Sequence, residues 1–223
     1  MLSHSYSSIK DFQGCPKRYH EVRILKRFKS GDTDATRYGT EVHSAFENRV
    51  RDKTPLPPAH SRFEPYAKVV ADAAAQDGIE LFCEHRMAIT ADFKPCEFFA
   101  KDVWFRGIPD ALLVDRARGV ARVVDYKTGK SSRYADTSQL QLLAAMVFAH
   151  FPEVQIVRGI LMFVVAGDAV PADFTRAEMA GILSTWAGYA DDVEQALANN
   201  VWNPRPSALC RFCPVSSCPN FPK

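Results

Sequence analysis

Three side chains in the stretch RGIPDALLVDRARGVARVVDYKTGK have the types and spacing for phosphodiester hydrolysis. Asp110 falls in one predicted strand, and Asp125 and Lys127 fall in the next, across a turn at Ala117-Arg118-Gly119. Side chains alternate along a strand, so Asp125 and Lys127 share a face while Tyr126 points away. Asp110 on the adjacent strand can join them, which would bring two carboxylates and one ammonium together at a sheet edge. Carboxylate oxygens are hard ligands for Mg²⁺ or Mn²⁺, ions that polarise a phosphate and activate water. The backbone carbonyl of Tyr126 offers a further oxygen. A lysine there can orient or deprotonate the water and stabilise charge developing at phosphorus. Alone, Asp-x-Lys is also an ordinary ion pair at a strand end; here Val123 and Val124 lead into it from a buried strand, and Thr128 and Gly129 follow.

Other polar residues admit two readings. His43, in GTEVHSAFE, is a metal ligand, a core-edge imidazole, or a partner for Glu47 one turn on. Gln139 is a site residue or a helix-surface amide. Glu84 either adds an acidic group to the site or is merely exposed.

Cys210-x-x-Cys213 followed by Cys218 forms a compact tail motif in a segment with little core of its own. Three thiolates so close suggest a metal or cluster that folds the segment. Cys15, in GCPKRY, is the best fourth ligand, because it too precedes a proline in a loop-like break. Zinc and iron–sulfur both accept four thiolates; a distant first cysteine favours a 4Fe-4S cluster, with zinc the alternative. Cys83 and Cys96 border predicted strands and read as buried thiols.

The elements that must position these groups alternate in kind. Ser5 or Ser7 caps a helix towards Gly14, and Pro16 restarts the chain. A second helix begins near Thr36 or Gly39, with Val42, Ala45, Phe46 and Val50 on one face, and a third spans Pro65 to Gln76. Strands are predicted over Glu84 to Thr90, Val103 to Val114 and Ala121 to Tyr126. A helix with an apolar stripe of Leu140, Leu143, Ala144 and Val147 follows, then a strand over Gln155 to Val165, apolar on both faces, and a helix over Arg176 to Leu197. This order defines an α/β domain around a mixed sheet.

The formal charge is only +2, so any nucleic-acid contact must come from local patches. Arg18, Arg23, Lys26, Arg27 and Lys29, interleaved with Tyr19 and Phe28, form either a strand-tracking face or a solvated helix face. Lys130 and Arg133 stand closer to the predicted site. The opening MLSHSYSSIKDF is polar and no run approaches a membrane span, so the expected location is cytoplasmic, without membrane contact. At 223 residues the chain suits one core rather than a catalytic domain fused to a motor.

Taken together and in order, these motifs resemble the RecB-like branch of the PD-(D/E)XK nucleases, which includes the AddB nuclease domain and the CRISPR-associated exonucleases that carry an iron–sulfur cluster. SYSSIKDFQGCPKRY is similar to the family's N-terminal segment, GTEVHSAFE to its histidine motif, GIPDALL and VVDYKTGK to its catalytic motifs, and CRFCPVSSC to its last three cluster cysteines. The resemblance implies a restriction-endonuclease-like core, a mixed central sheet flanked by helices. A helical N-terminal part and a Cys-rich C-terminal tail would be joined by a metal cluster. It implies one domain over residues 1–223, with a helical segment at 1–60, a catalytic core at 80–167 and a cluster-binding tail at 200–223. Asp110, Asp125, His43 and Tyr126 would hold Mg²⁺ or Mn²⁺, with Lys127 and Gln139 catalytic. Cys15, Cys210, Cys213 and Cys218 would hold the cluster. The implied substrate is DNA, single-stranded or end-containing, cut exonucleolytically in recombination, repair, phage or CRISPR-related processing, with protein partners in a recombination or spacer-acquisition complex; the alternative is a non-catalytic DNA-binding or assembly module, or a nuclease subunit active only within a larger complex. One departure stands out: Leu143 occupies the position where the family usually carries a tyrosine, four residues after the glutamine.

Overall fold

The computed structural model describes residues 2–221. The N-terminal part is helical: α1 (Tyr6–Gly14), α2 (Pro16–Tyr19) continuing into a π-helical turn (His20–Ile24), α3 (Asp34–Arg51) and α4 (Glu64–Ala74). Ser5 caps α1 by accepting from the Ser8 N–H at 3.2 Å, and Ser8 returns the bond to the Ser5 N–H at 2.8 Å. Thr33 and Thr36 cap α3 in the same reciprocal way, each cap contributing about 1 kcal/mol.

Strands then follow as β1 (Ile79–Cys83), β2 (Met87–Thr90), β3 (Pro95–Cys96), β4 (Val103–Gly107), β5 (Ala111–Asp115) and β6 (Val120–Lys127). After them come α5 (Ser138–His150), β7 (Ile156–Phe163), β8 (Asp168–Thr175) and α6 (Met179–Ala198). The central sheet runs β1-β5-β6-β7-β8, antiparallel except for the parallel pair β6 and β7. A parallel pair needs a crossover, and α5 supplies it. A smaller antiparallel sheet, β3-β2-β4, lies apart from the central one.

Alternation along β5 and β6 divides the interior. Leu112, Val114, Ala121 and Val123 face the core built on α5 and α6, while Ala111, Leu113, Val124 and Tyr126 face the core built on α3 and α4. The chain is therefore an α/β domain with a mixed central sheet and flanking helices, and no helix among the described residues is long and apolar enough to cross a membrane.

Four expectations need correction. The strand expected from Glu84 starts later, at Met87, and belongs to the smaller sheet, while the central sheet's edge strand β1 precedes Glu84. The run Val103 to Val114 is two strands, broken at Ile108-Pro109-Asp110, so Asp110 precedes β5 rather than lying within a strand. β8 was not expected because Pro171 interrupts it; the strand tolerates proline because it is an edge strand, bonded only to β7. And α5 buries Leu142, Ala145, Met146 and Phe148 as well as the predicted stripe, since packing surrounds it.

The expected metal staple between the chain's ends is also corrected. Cys15, Cys210, Cys213 and Cys218 border one crevice, but no three of their sulfurs come mutually within 4.8 Å. Among the described residues no cysteine belongs to a group of three or more metal-ligating side chains gathered at that distance. The tail is held by other means. Trp202 stacks on His20 with centroids 4.3 Å apart and packs against Phe12 and Tyr19, while the Arg205 guanidinium donates to the Gln13 carbonyl at 2.5 Å. The Arg205 N–H lies 3.4 Å from the Cys15 sulfur, and the Ser207 N–H 3.4 Å from that of Cys210.

Close packing at one glycine gives a test of the crossover. A Cβ at Gly159 of β7 would sit 2.9 Å from the Ala172 carbonyl oxygen and 3.1 Å from Leu140 of α5. Gly159→Ala should destabilise the fold by about 1–3 kcal/mol, because strand backbone rather than a flexible side chain must move. Urea unfolding checks this, and an unchanged midpoint would refute the packing described.

Candidate metal and catalytic site

The register of the central sheet places the polar groups. β5 and β6 pair Ala111 with Val124, so Asp110 and Asp125 lie one step beyond at the same end of the sheet. β1 and β5 pair Cys83 with Ala111, and Glu84 follows beside Asp110, its N–H bonded to the Asp110 carbonyl at 3.2 Å. Glu84 turns there with φ +51°, a left-handed conformation unusual for a side-chain-bearing residue.

Asp110 is the hinge between two clusters. Its Oδ1 lies 2.9 Å from His43 Nδ1 of α3, and its Oδ2 accepts the Tyr126 N–H at 2.5 Å. Phe46 packs on the Tyr126 ring at 4.4 Å, and the His43 ring stands edge-on to it, so the apolar stripe of α3 sets the imidazole's place. His43, Glu84 and Asp110 offer ligand atoms that all lie within 4.8 Å of one another.

The second cluster lies on the α5 side of β6. Lys127 Nζ is 2.5 Å from Asp125 Oδ2 and donates to Gln139 Oε1 at 2.8 Å. The Gln139 amide in turn donates to Asp125 Oδ1 at 2.5 Å. Asp125 is 4% exposed, and a carboxylate so buried needs both partners. Burial and the nearby Asp110 push its pKa upward against the pull of Lys127 and His43.

Charge crowding marks the His43 cluster. Partial burial, with Asp110 and Glu47 nearby, pushes Glu84 up to about 7. Burial pulls His43 downward, but its hydrogen bond to Asp110 and the surrounding carboxylates outweigh that and raise it. Two carboxylates and an imidazole competing for protons suit a cation: the oxygens are hard, and imidazole completes a mixed N/O set.

The structure thus brings together His43, Asp110, Asp125, Tyr126, Lys127 and Gln139, six residues named from sequence. It changes their grouping: Asp125 faces Lys127 and Gln139, and Glu84 takes a place beside His43 and Asp110. The four cysteines stand apart from this site. Leu143 is buried under Gly107, where a Cβ would meet it at 2.8 Å, so it fills packing space and offers no polar group.

The basic stretch near the N-terminus is largely used internally. Arg18 and Arg23 both bond Asp11, Lys17 bonds Glu21, and Tyr19 is buried, while Phe28 is half-buried. Lys130 and Arg133 stay exposed beyond β6, beside Tyr134.

A mixed sheet whose strand ends gather carboxylates and a lysine beside a helix-borne histidine is a nuclease-type fold with a candidate metal-binding site. The chain belongs to the PD-(D/E)XK nuclease superfamily, whose family model matches residues 3–219. No curated protein matches it by sequence. Among solved structures, one from Eubacterium rectale described as "Putative exonuclease" aligns over 99% of this chain and 90% of its own, at 17% identity and a TM-score of 0.53. The structure of SSO0001 aligns over 100% of this chain and 89% of its own, at 11% identity and a TM-score of 0.43. At 17% identity the likeness to the Eubacterium rectale structure concerns the fold alone.

The raised pKa values fix the sign of a pH effect. An acid whose folded pKa is raised contributes stability at low pH and loses it as pH rises through the folded value, near 7 for Glu84. Bound cation removes that penalty, and binding requires the deprotonated groups. Mg²⁺ or Mn²⁺ should therefore raise the melting temperature more at pH 8 than at pH 6. A stabilisation independent of pH across that window would contradict the crowded-carboxylate account.

Proposed function

We propose that the chain is a divalent-cation-dependent DNA nuclease that removes nucleotides from DNA ends or single-stranded DNA. The observation that carries this reading is the convergence of two clusters at one end of the sheet: His43, Glu84 and Asp110 on one side, Asp125, Lys127 and Gln139 on the other. They are joined through Asp110 and the intervening Tyr126 N–H. The described Eubacterium rectale neighbour supports the exonuclease part. The order of the segments SYSSIKDFQGC, GTEVHSAFE, GIPDALL and VVDYKTGK supports the RecB-like branch, and with it a setting in recombination, repair, phage or CRISPR-related processing among protein partners.

His43, Glu84 and Asp110 would hold Mg²⁺ or Mn²⁺, with Asp125 and the Tyr126 carbonyl as the remaining oxygen sources nearby. When bound, the cation supplies charge neutralisation at the phosphate and water activation. The chain's own groups do the rest. Asp110 fixes the His43 ring through the bond to Nδ1. Gln139 bridges Asp125 and Lys127, holding the ammonium against β6 instead of letting it swing into solvent. Lys127 then stands where a phosphate at the strand ends would meet it. It orients the attacking water and stabilises charge accumulating on the phosphate oxygens. Lys130 and Arg133, exposed on the loop after β6, are placed to hold flanking phosphates.

The test is cleavage of labelled single-stranded and duplex DNA with Mg²⁺ or Mn²⁺. Lys127→Ala should lower the rate by about 10²-fold or more, and His43→Ala should raise the cation concentration needed for half-maximal rate. Gln139→Ala should slow cleavage more than it weakens cation binding, since Gln139 bonds Lys127 and Asp125 and none of His43, Glu84 and Asp110. Equal cleavage by wild type and Lys127→Ala would refute the assignment.

A further inference from the structure

Two phenylalanines occupy the turn between β3 and β4 of the smaller sheet. Phe99 is 73% exposed, and the half-buried Phe98 meets it edge-on with centroids 5.0 Å apart. Two guanidiniums sit over this pair. Arg86 lies 5.7 Å from both ring centroids, and Arg106 lies 5.3 Å from Phe98 and 5.9 Å from Phe99. Among the described residues neither arginine forms an ion pair; the Arg106 guanidinium donates only to the Ser3 hydroxyl, and Arg86 is exposed. Leaving a phenylalanine in water instead of burying it forgoes about 1.5–3 kcal/mol, and two unpaired cations beside it keep the patch positive.

The patch is continuous with the site. Phe98 and Arg106 line a crevice whose other walls include Tyr6, Ile108 and Gln139, the residue that holds Lys127. The chain itself makes the same link, since β4 carries Arg106 and runs on through Ile108 and Pro109 to Asp110.

We propose that Phe98, Phe99, Arg86 and Arg106 form a stacking platform for single-stranded DNA and pass the strand along this crevice to the catalytic cluster. The choice of DNA as ligand rests on the nuclease reading above. The choice of single strand rests on the rings. Only unstacked bases can lay a face against Phe99, whereas a duplex presents phosphates and grooves. The arginines serve both demands, meeting phosphates by charge and bases by their planar faces. The platform also gives the enzyme selectivity at a point remote from bond cleavage.

Binding measured in EDTA separates this from hydrolysis. With the full chain and a labelled oligothymidine, Phe99→Ala should weaken binding by about tenfold, Phe99→Trp should restore it, and affinity for a duplex should change by less than about twofold. Arg86→Gln should flatten the dependence of affinity on salt. Because Phe99 is exposed, the melting temperature of Phe99→Ala should match wild type, so a loss of binding cannot be a loss of fold. Single-strand affinity unchanged in Phe99→Ala overturns the platform, as does an equal loss for duplex and single strand. A protein partner captured by the patch while DNA binding is unaffected would overturn it too. A wild-type chain that binds the strand through Phe99 yet never cuts with Mg²⁺ or Mn²⁺ supports the platform and refutes the nuclease reading.

Discussion

A carboxylate as buried as Asp125 sets the terms for everything around it. Removing a charge from water costs several kcal/mol unless it is paired and hydrogen-bonded. Here the compensation comes from Lys127 two residues on and from the Gln139 amide of α5. The first partner is available only because β6 is a strand, which returns alternate residues to one face. The second is available only because the chain crosses over to make β7 parallel to β6, and α5 is that crossover. The topology of the sheet and the polarity of the site are thus one solution, and neither could be altered alone.

The same strand divides the labour of its two faces. Towards α5 it presents Val123, Asp125 and Lys127; towards α3 it presents Val124 and Tyr126. Tyr126 packs against Phe46 on α3, whose neighbouring turn carries His43, and its N–H fixes Asp110. One residue of backbone therefore ties the acidic cluster to the lysine cluster. The polar groups keep their spacing because apolar contacts on the opposite face hold the elements that carry them.

Much of this was legible in the sequence, for a definite reason. Asp125 and Lys127 are two apart in a β-prone run, and the sheet's period of two does the rest. The alternation in β6 and the apolar crossover helix were visible in the same way. His43 and Gln139 were nameable, but their roles depended on which helix face met which strand end, and that is decided by tertiary packing. Glu84 stayed open between a site acid and an exposed residue, because the strand β1 before it lacks a strong pattern and its left-handed turn has no side-chain signature. β8 was hidden by Pro171, whose acceptability follows from an edge position that local pattern does not encode. The cysteines show the opposite failure. Their spacing suggested a ligand set, yet the tail is seated by Trp202 and Arg205, two residues with no motif at all. Phe98 and Phe99 belong to no motif, and only the turn between β3 and β4 exposes Phe99.

The crevice beside Gln139 owes one wall to Tyr6, and that wall is fastened by contacts remote in the chain. The backbone at His4 bonds to Trp104 and Arg106, Tyr6 stands edge-on to Trp186, and the Leu2 N–H reaches Glu194 across 192 residues of sequence. Contacts of such separation close late, because the loop entropy must be overcome before they contribute. As the chain emerges from the ribosome, β5 and β6 are complete well before Trp186 and Glu194 exist. β5 and β6 are therefore expected to form ahead of the wall that Tyr6 makes, which would leave the crevice beside Gln139 the last part of this region to close.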